Sequence, residues 1–132
     1  MTPRVVHLTT YTANGGAARA ATALHEAMLR WGVDSRLVSA HGTRFTVARV
    51  ADRQLWRLQR TPVVTWRSPA WFGSMSSKTI DRLGADIVNL HWVTDGLLTV
   101  KTIGAIATPR VWSMYDMWPF TGTEHYGVCL LY

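Results

Sequence analysis

Arg4-Val5-Val6-His7-Leu8-Thr9, Asn14-Gly15-Gly16, the alanine-rich stretch Ala17–Trp31, Gly32 and Ser35–Ala40 together decide the fold. The opening run is short, β-branched and apolar, and reads as a buried strand. The glycine pair breaks it. Apolar residues at Ala20, Leu24, Ala27, Met28 and Trp31 then fall at helical spacing, and Gly32 sits where a C-terminal cap belongs. Ser35–Ala40 supplies a second strand. Strand, glycine turn, helix and strand make a βαβ unit, and such a unit implies a parallel sheet.

Outward from that unit, Thr46–Arg60 predicts a helix with Val47, Val50, Ala51, Leu55 and Leu58 on one stripe. Residues 61–79, with Pro62, Pro69, Gly73 and a serine cluster, read as loop. A short helix over Ser77–Leu83, a buried strand over Ala85–Trp92, a helix over Leu97–Ala107 and a strand over Arg110–Met114 continue the alternation. Asp116–Tyr132 reads as loop without a packed partner. The expected fold class is α/β: a Rossmann-like parallel sheet flanked by helices, one domain over residues 1–132.

Composition agrees with that reading. Hydrophobic residues make up 48% of the 132 and charged residues 17%, enough apolar side chain for a core, which excludes a disordered tail. No apolar run approaches the roughly 18 to 20 residues of a membrane-spanning helix. The first residues lack the pattern of a secretory signal. The single cysteine, Cys129, has no partner for an internal disulfide, and nothing near it has zinc-ligand spacing. These features point to a cytoplasmic chain. The net charge is +6, carried by 12 Arg and 2 Lys. Scattered arginines from Arg4 to Arg110 do not form a nucleic-acid motif, and no nucleic-acid partner is expected.

In an open parallel sheet, ligands bind beyond the carboxyl ends of the strands. Gly15-Gly16, His91-Trp92 and Tyr115-Asp116-Met117-Trp118 all follow strands, so groups far apart in sequence converge on one edge. Glycines at a helix N-terminus admit a phosphate, with Arg19 one turn further in, although a glycine pair also reads as a plain turn. Seven tryptophans suggest that some line a groove. Asp116 could bind a hydroxyl or cap the next turn. No Gly-x-Ser-x-Gly elbow is present, so serine hydrolysis of that type has no support.

GGAARAATALHEAM, ADIVNLHWVTDGLL and SMYDMWPFTGTEHY, in this order and spacing, resemble the N-terminal domain of bacterial family-four glycosyltransferases of the GT-B fold. The resemblance spans nearly the whole chain, weakest over 43–78 and strongest at Asp116–Gly122. It implies two Rossmann-like domains facing across a cleft, the first mostly binding the acceptor and the second the nucleotide-sugar. The implied reaction is sugar transfer to a polysaccharide or glycolipid acceptor with retention, without an essential metal or other cofactor. Gly15 and Gly16 match the glycine pair against donor phosphate or sugar, and His91 and Trp92 match a cleft-facing His-Trp pair. Trp118 belongs to the strongest stretch, and His125 to the His-Tyr pair that follows it. Tyr115 departs: similar enzymes carry histidine there, touching the donor sugar. His91, Tyr115 and Asp116 are therefore the candidate catalytic residues. Without the nucleotide-sugar domain, these 132 residues alone are expected to be inactive.

Arg49, Arg53, Arg57 and Arg60 recur at spacings of four, four and three, with Trp56 at the border of the stripe. Such a basic helix suits an anionic membrane surface, where lipid-linked acceptors of such enzymes lie, and predicts a peripheral location at the inner face of the cell membrane. A solvated face interrupted by Asp52 is the other reading. Two further functions remain open: a non-catalytic glycan- or phosphate-binding module, and a basic nucleic-acid-binding domain.

Overall fold

The computed structural model describes residues 2–58 and 66–126. The elements run β1 (Arg4–Thr9), α1 (Gly16–Arg30), β2 (Asp34–Ser39), α2 (Gly42–Trp56), α3 (Ser77–Asp81), β3 (Ile87–Leu90), α4 (Val100–Ala105), β4 (Arg110–Trp112) and α5 (Trp118–Thr121). The four strands form one sheet in the order β2-β1-β3-β4, every pair parallel. This is the Rossmann-like α/β architecture that the βαβ reading implies. β2 and β3 flank β1 on opposite sides, so a topological switch point lies between β1 and β3.

Period-two alternation divides the buried side chains between the two faces of the sheet. Val6, Leu8, Val88 and Leu90 join Ile80, Leu97, Leu98, Ile103, Ile106 and Trp118 in one apolar cluster. Each such burial contributes about 1.5–3 kcal/mol. The opposite face carries His7, Thr9 and Asn89, with Ser35 and His91 buried beside them. It lies against α1, whose buried residues are the small Ala18 and Ala21. His25 of α1 stands 6.1 Å from His7, ring centroid to ring centroid. One face of the sheet is thus an oily core, and the other is a hydrogen-bonded polar layer.

α1 ends in a Schellman motif: Gly32 N–H donates to Leu29 O at 3.0 Å and Val33 N–H to Met28 O at 3.0 Å. Trp31, expected on the apolar stripe, is the C-cap and is 88% exposed. α2 is corrected in both position and face. It starts and ends four residues earlier than the spacing predicts, and Phe45, Ala48 and Asp52 face inward while Val47 and Val50 are exposed. The reason is Asp52. Its carboxylate accepts the backbone N–H groups of Ala70 (3.2 Å), Trp71 (2.9 Å) and Phe72 (3.3 Å), which draws that face of α2 onto the 66–76 strap.

Two further boundaries move. The helix expected from Leu97 begins at Val100, with Thr99 as its N-cap accepting from Thr102 N–H. Leu97 and Leu98 are fully buried core residues in the preceding turn, and the Leu97 carbonyl is taken by Ser74 and Met75 N–H groups. Beyond β4, the expected unpacked loop contains α5, and Trp118 and His125 are buried there. Arg60 and Cys129 lie outside the described residues, as do all of residues 59–65. Among the described residues no helix is long and apolar enough to cross a membrane.

Replacing Asp52 by Ala leaves three backbone N–H groups without their acceptor. We expect a loss of about 2–4 kcal/mol of unfolding free energy, with a smaller loss for Asp52→Asn, measured by denaturant unfolding. An unchanged midpoint for Asp52→Ala would show that the carboxylate does not anchor the strap.

Candidate functional site

A cavity of about 560 Å³ opens at the carboxyl edge of the sheet, beside the switch point. β1 delivers Thr9 and, just beyond it, Tyr11. Trp92 follows β3, and Tyr115 and Asp116 follow β4. The N-terminus of α1 closes another side with Gly15, Gly16, Ala17 and Ala18. Gly15 holds φ at 91°, a left-handed value that favours glycine, and it caps α1 without any side-chain hydrogen bond. The first turn carries no acidic residue. Its positive end therefore faces the cavity uncompensated, a setting that attracts anionic or lone-pair oxygens.

The aromatic wall is built by stacking. Tyr11 and Trp92 lie 5.7 Å apart between ring centroids at 27°, and Phe45 meets Tyr11 edge-on. Tyr11 is fixed by donating its hydroxyl to Asp95 at 2.5 Å. Burial first, and then that bond, push the Tyr11 phenol up to about 12. Asp95, 3% exposed, also receives two N–H bonds from Arg53 at 2.8 and 2.7 Å, and Arg49 lies 3.9 Å away. Arg53 in turn covers the face of Trp66 at 5.4 Å, and Trp66 lines the cavity. Arg49 and Arg53 therefore belong to an internal ion pair and are not a freely solvated stripe. Arg57 is exposed, and the side chain of Trp56 lies outside the described residues, as does Arg60.

Asp116 is the polar hub of the opposite wall. Its Oδ1 accepts from Trp118 N–H at 3.1 Å, and its Oδ2 accepts from Trp92 Nε1–H at 2.9 Å and from His125 Nδ1–H. The His125 Nδ1 proton directs the indole N–H of Trp92 to the carboxylate, although the ring nitrogen is only 3.2 Å off. His125 Nε2 stands 2.8 Å from Ser68 Oγ, and a neutral ring accepts that hydroxyl proton. Ser68, His125 and Asp116 thus have the connectivity of an acyl-transfer triad. Ser68, however, is 3% exposed and does not line the cavity, so its hydroxyl orients His125 and is not presented to a ligand. Of the two roles expected for Asp116, Oδ1 fills the turn-capping one by accepting from Trp118 N–H, while Oδ2 holds Trp92 and His125 in place.

The edge gathers Gly15, Gly16, Trp92, Tyr115, Asp116 and His125 on one cavity. Arg19 is exposed on α1 and does not line it. Trp118 is buried behind it, donating Nε1–H to Ser68 O at 2.7 Å. His91, expected to face the cleft, is 2% exposed and lies behind Tyr115 in the polar layer. Burial first, and then the neighbouring His7, lower His91 to about 4. Sequence reading did not single out Tyr11, Trp66 and Tyr126 on the lining or Ser68 behind it; the signals were the position of Tyr11 after β1, the surplus of tryptophans and the place of Tyr126 beside His125. Among the described residues no three His, Cys, Asp or Glu side chains are grouped to hold a metal ion. Comparisons with protein-family models, curated proteins and solved structures returned no match.

The buried histidines make stability depend on pH with a definite sign. In the unfolded chain His91 takes up a proton near its ordinary 6.5, whereas the folded chain resists until about 4. The unfolded state binds more protons in that window, so unfolding free energy falls as pH drops from about 6.5 to about 4. His7 shifts in the same direction. We expect His91 to contribute on the order of 3 kcal/mol to this fall. Urea unfolding across the window should be less steep in pH for His91→Gln by about one proton; equal slopes would contradict the assignment.

Proposed function

We propose that this domain is the acceptor-side half of a retaining glycosyltransferase, and that its cavity holds sugar at the seam between acceptor and nucleotide-sugar. The observation that carries this reading is the union of two surfaces in one cavity: the uncapped N-terminus of α1 and the wall formed by Trp92, Tyr11 and Trp66. A pyranose ring presents an apolar C–H face that packs on an aromatic ring, and hydroxyl or phosphate oxygens that accept from N–H groups. Concave, mostly apolar sites with a few oriented polar groups are the usual form of small-molecule sites. The resemblance, strongest at Asp116–Gly122, supports the same reading.

On this reading Trp92 and Tyr11 supply the stacking surface, held at a fixed angle by Asp116 and Asp95. Gly16 and Ala17 offer backbone N–H groups, and Tyr115 occupies the place next to the reacting sugar. Contacts to the nucleotide, and with them turnover, fall to a second domain. A peripheral membrane contact would fall to Arg57 and its surroundings, because Arg49 and Arg53 are engaged with Asp95.

A non-catalytic sugar- or phosphate-binding module is the second reading. What favours it is the internal use of Asp116 and His125, which leaves neither as a free base on the cavity wall.

Tryptophan fluorescence of the chain, titrated with a panel of nucleotide-sugars and simple glycosides, tests both. We expect a saturable change with at least one of them, weakened tenfold or more by Trp92→Ala and little altered by Arg19→Ala. Absence of a response to every compound would refute a sugar site. Binding with turnover by the chain alone would refute the division of labour between two domains, and binding that never leads to transfer when a donor domain is supplied would favour the module.

A further inference from the structure

A line of three side chains runs from the interior of the polar layer to the cavity wall. His7 is wholly buried on β1, and its Nδ1 lies 2.9 Å from His91 Nε2. His91 Nδ1 lies 3.0 Å from the hydroxyl of Tyr115, which lines the cavity. At the inner end, His7 Nε2 is buried and has no hydrogen-bond partner among the described residues. Burial keeps both rings neutral by lowering their affinity for a second proton, and His25 acts on His7 in the same direction.

The unpartnered nitrogen fixes the direction of the line. Two neutral arrangements satisfy both internal contacts. In one, Tyr115 donates to His91 Nδ1, and His91 Nε2–H donates to His7 Nδ1. His7 then carries its proton on Nε2, an N–H buried without an acceptor. In the other, His7 Nδ1–H donates to His91 Nε2, and His91 Nδ1–H donates to the Tyr115 oxygen. His7 Nε2 is then only an unused lone pair. An unmade bond at Nε2 costs desolvation in either arrangement, and of the two cases a buried N–H left without an acceptor is the rarer in folded proteins.

We infer that His7 and His91 are positioning residues that hold the Tyr115 hydroxyl as a hydrogen-bond donor to the cavity, aimed at a ligand oxygen that has lone pairs and no proton to give. The Tyr115 oxygen accepts from His91 behind it, so its single proton turns toward the cavity. Phosphate, carboxylate and ether oxygens fit this donor. A hydroxyl that must donate at this point fits poorly. The inference rests on the reading of the cavity as the ligand site, but the proton positions in the relay do not depend on it.

Nitrogen-15 NMR of the histidine rings in the intact chain reads the relay directly. We expect His7 and His91 both protonated at Nδ1 and bare at Nε2. Protonation of both at Nε2 would overturn the inference. The second measurement is binding of α-D-glucose 1-phosphate to the chain and to Tyr115→Phe, which keeps the ring of an exposed residue. A hydrogen bond to a charged oxygen predicts roughly a tenfold to hundredfold weakening. Equal affinities would overturn the donor role. Failure of the unaltered chain to bind this probe, with both rings protonated at Nδ1, would count against the sugar-phosphate reading of the cavity and leave the relay standing.

Discussion

Parallel pairing of β1 with β3 is the constraint on which the rest of the site depends. Its register sets His7 opposite Asn89 and Leu8 opposite Leu90, and the backbone continues past the strands through His91 N–H to Leu8 O at 2.9 Å. Thr10 N–H then donates to Trp92 O at 2.7 Å. A slip of β1 by one residue would turn its two faces over, moving His7 into the apolar cluster and Leu8 under α1. The same register carries Tyr11 alongside Trp92, so the stacked wall of the cavity is a direct extension of the ladder.

The two faces are stabilised by different physics. Toward α3 and α4, side chains interlock by shape and the loss is proportional to volume removed. Toward α1, side chains are matched in pairs: His7 with His91, His25 with Ser35, Ser113 with Asn89. Loops are pinned by a third device, the nearly buried carboxylate. Asp52 gathers the strap at Ala70–Phe72, Asp95 gathers Tyr11 and Arg53, and Asp116 gathers Trp92 and His125. Asp52 ties α2 to the strap and Asp95 ties it to the turn after β3, and no ladder joins α2 to either.

How much of this could be read in advance follows from what each residue needs as a partner. The βαβ start was legible because strand alternation, the glycine pair and the helical spacing of Ala17–Trp31 are local patterns. The parallel sheet followed from them. α2 was misread because spacing counts apolar residues, and the residue that turns the helix inward is a carboxylate whose partners lie 18 to 20 positions away. The site was legible to the extent that strand ends were: Gly15, Gly16, Trp92, Tyr115 and Asp116 all line the cavity. His91 was placed on the wrong side of the wall because its neighbours, His7 and Tyr115, are 84 and 24 positions distant. Ser68 and Trp66 sit in a stretch without periodicity, where only the fold reveals a role.

Gly96 sits in the turn after β3 with φ at 93°, and a Cβ there would come within 2.5 Å of Arg49 N. The turn and the α2 backbone are therefore in direct contact, with no side chain between them to act as a compliant spacer. Arg53 and Tyr11 grip the neighbouring Asp95 from the same side. Mechanically, α2, this turn and the Tyr11 edge of the cavity form one stiff body. Any breathing of the cavity must then come from its other rim, at Tyr126, which is 64% exposed.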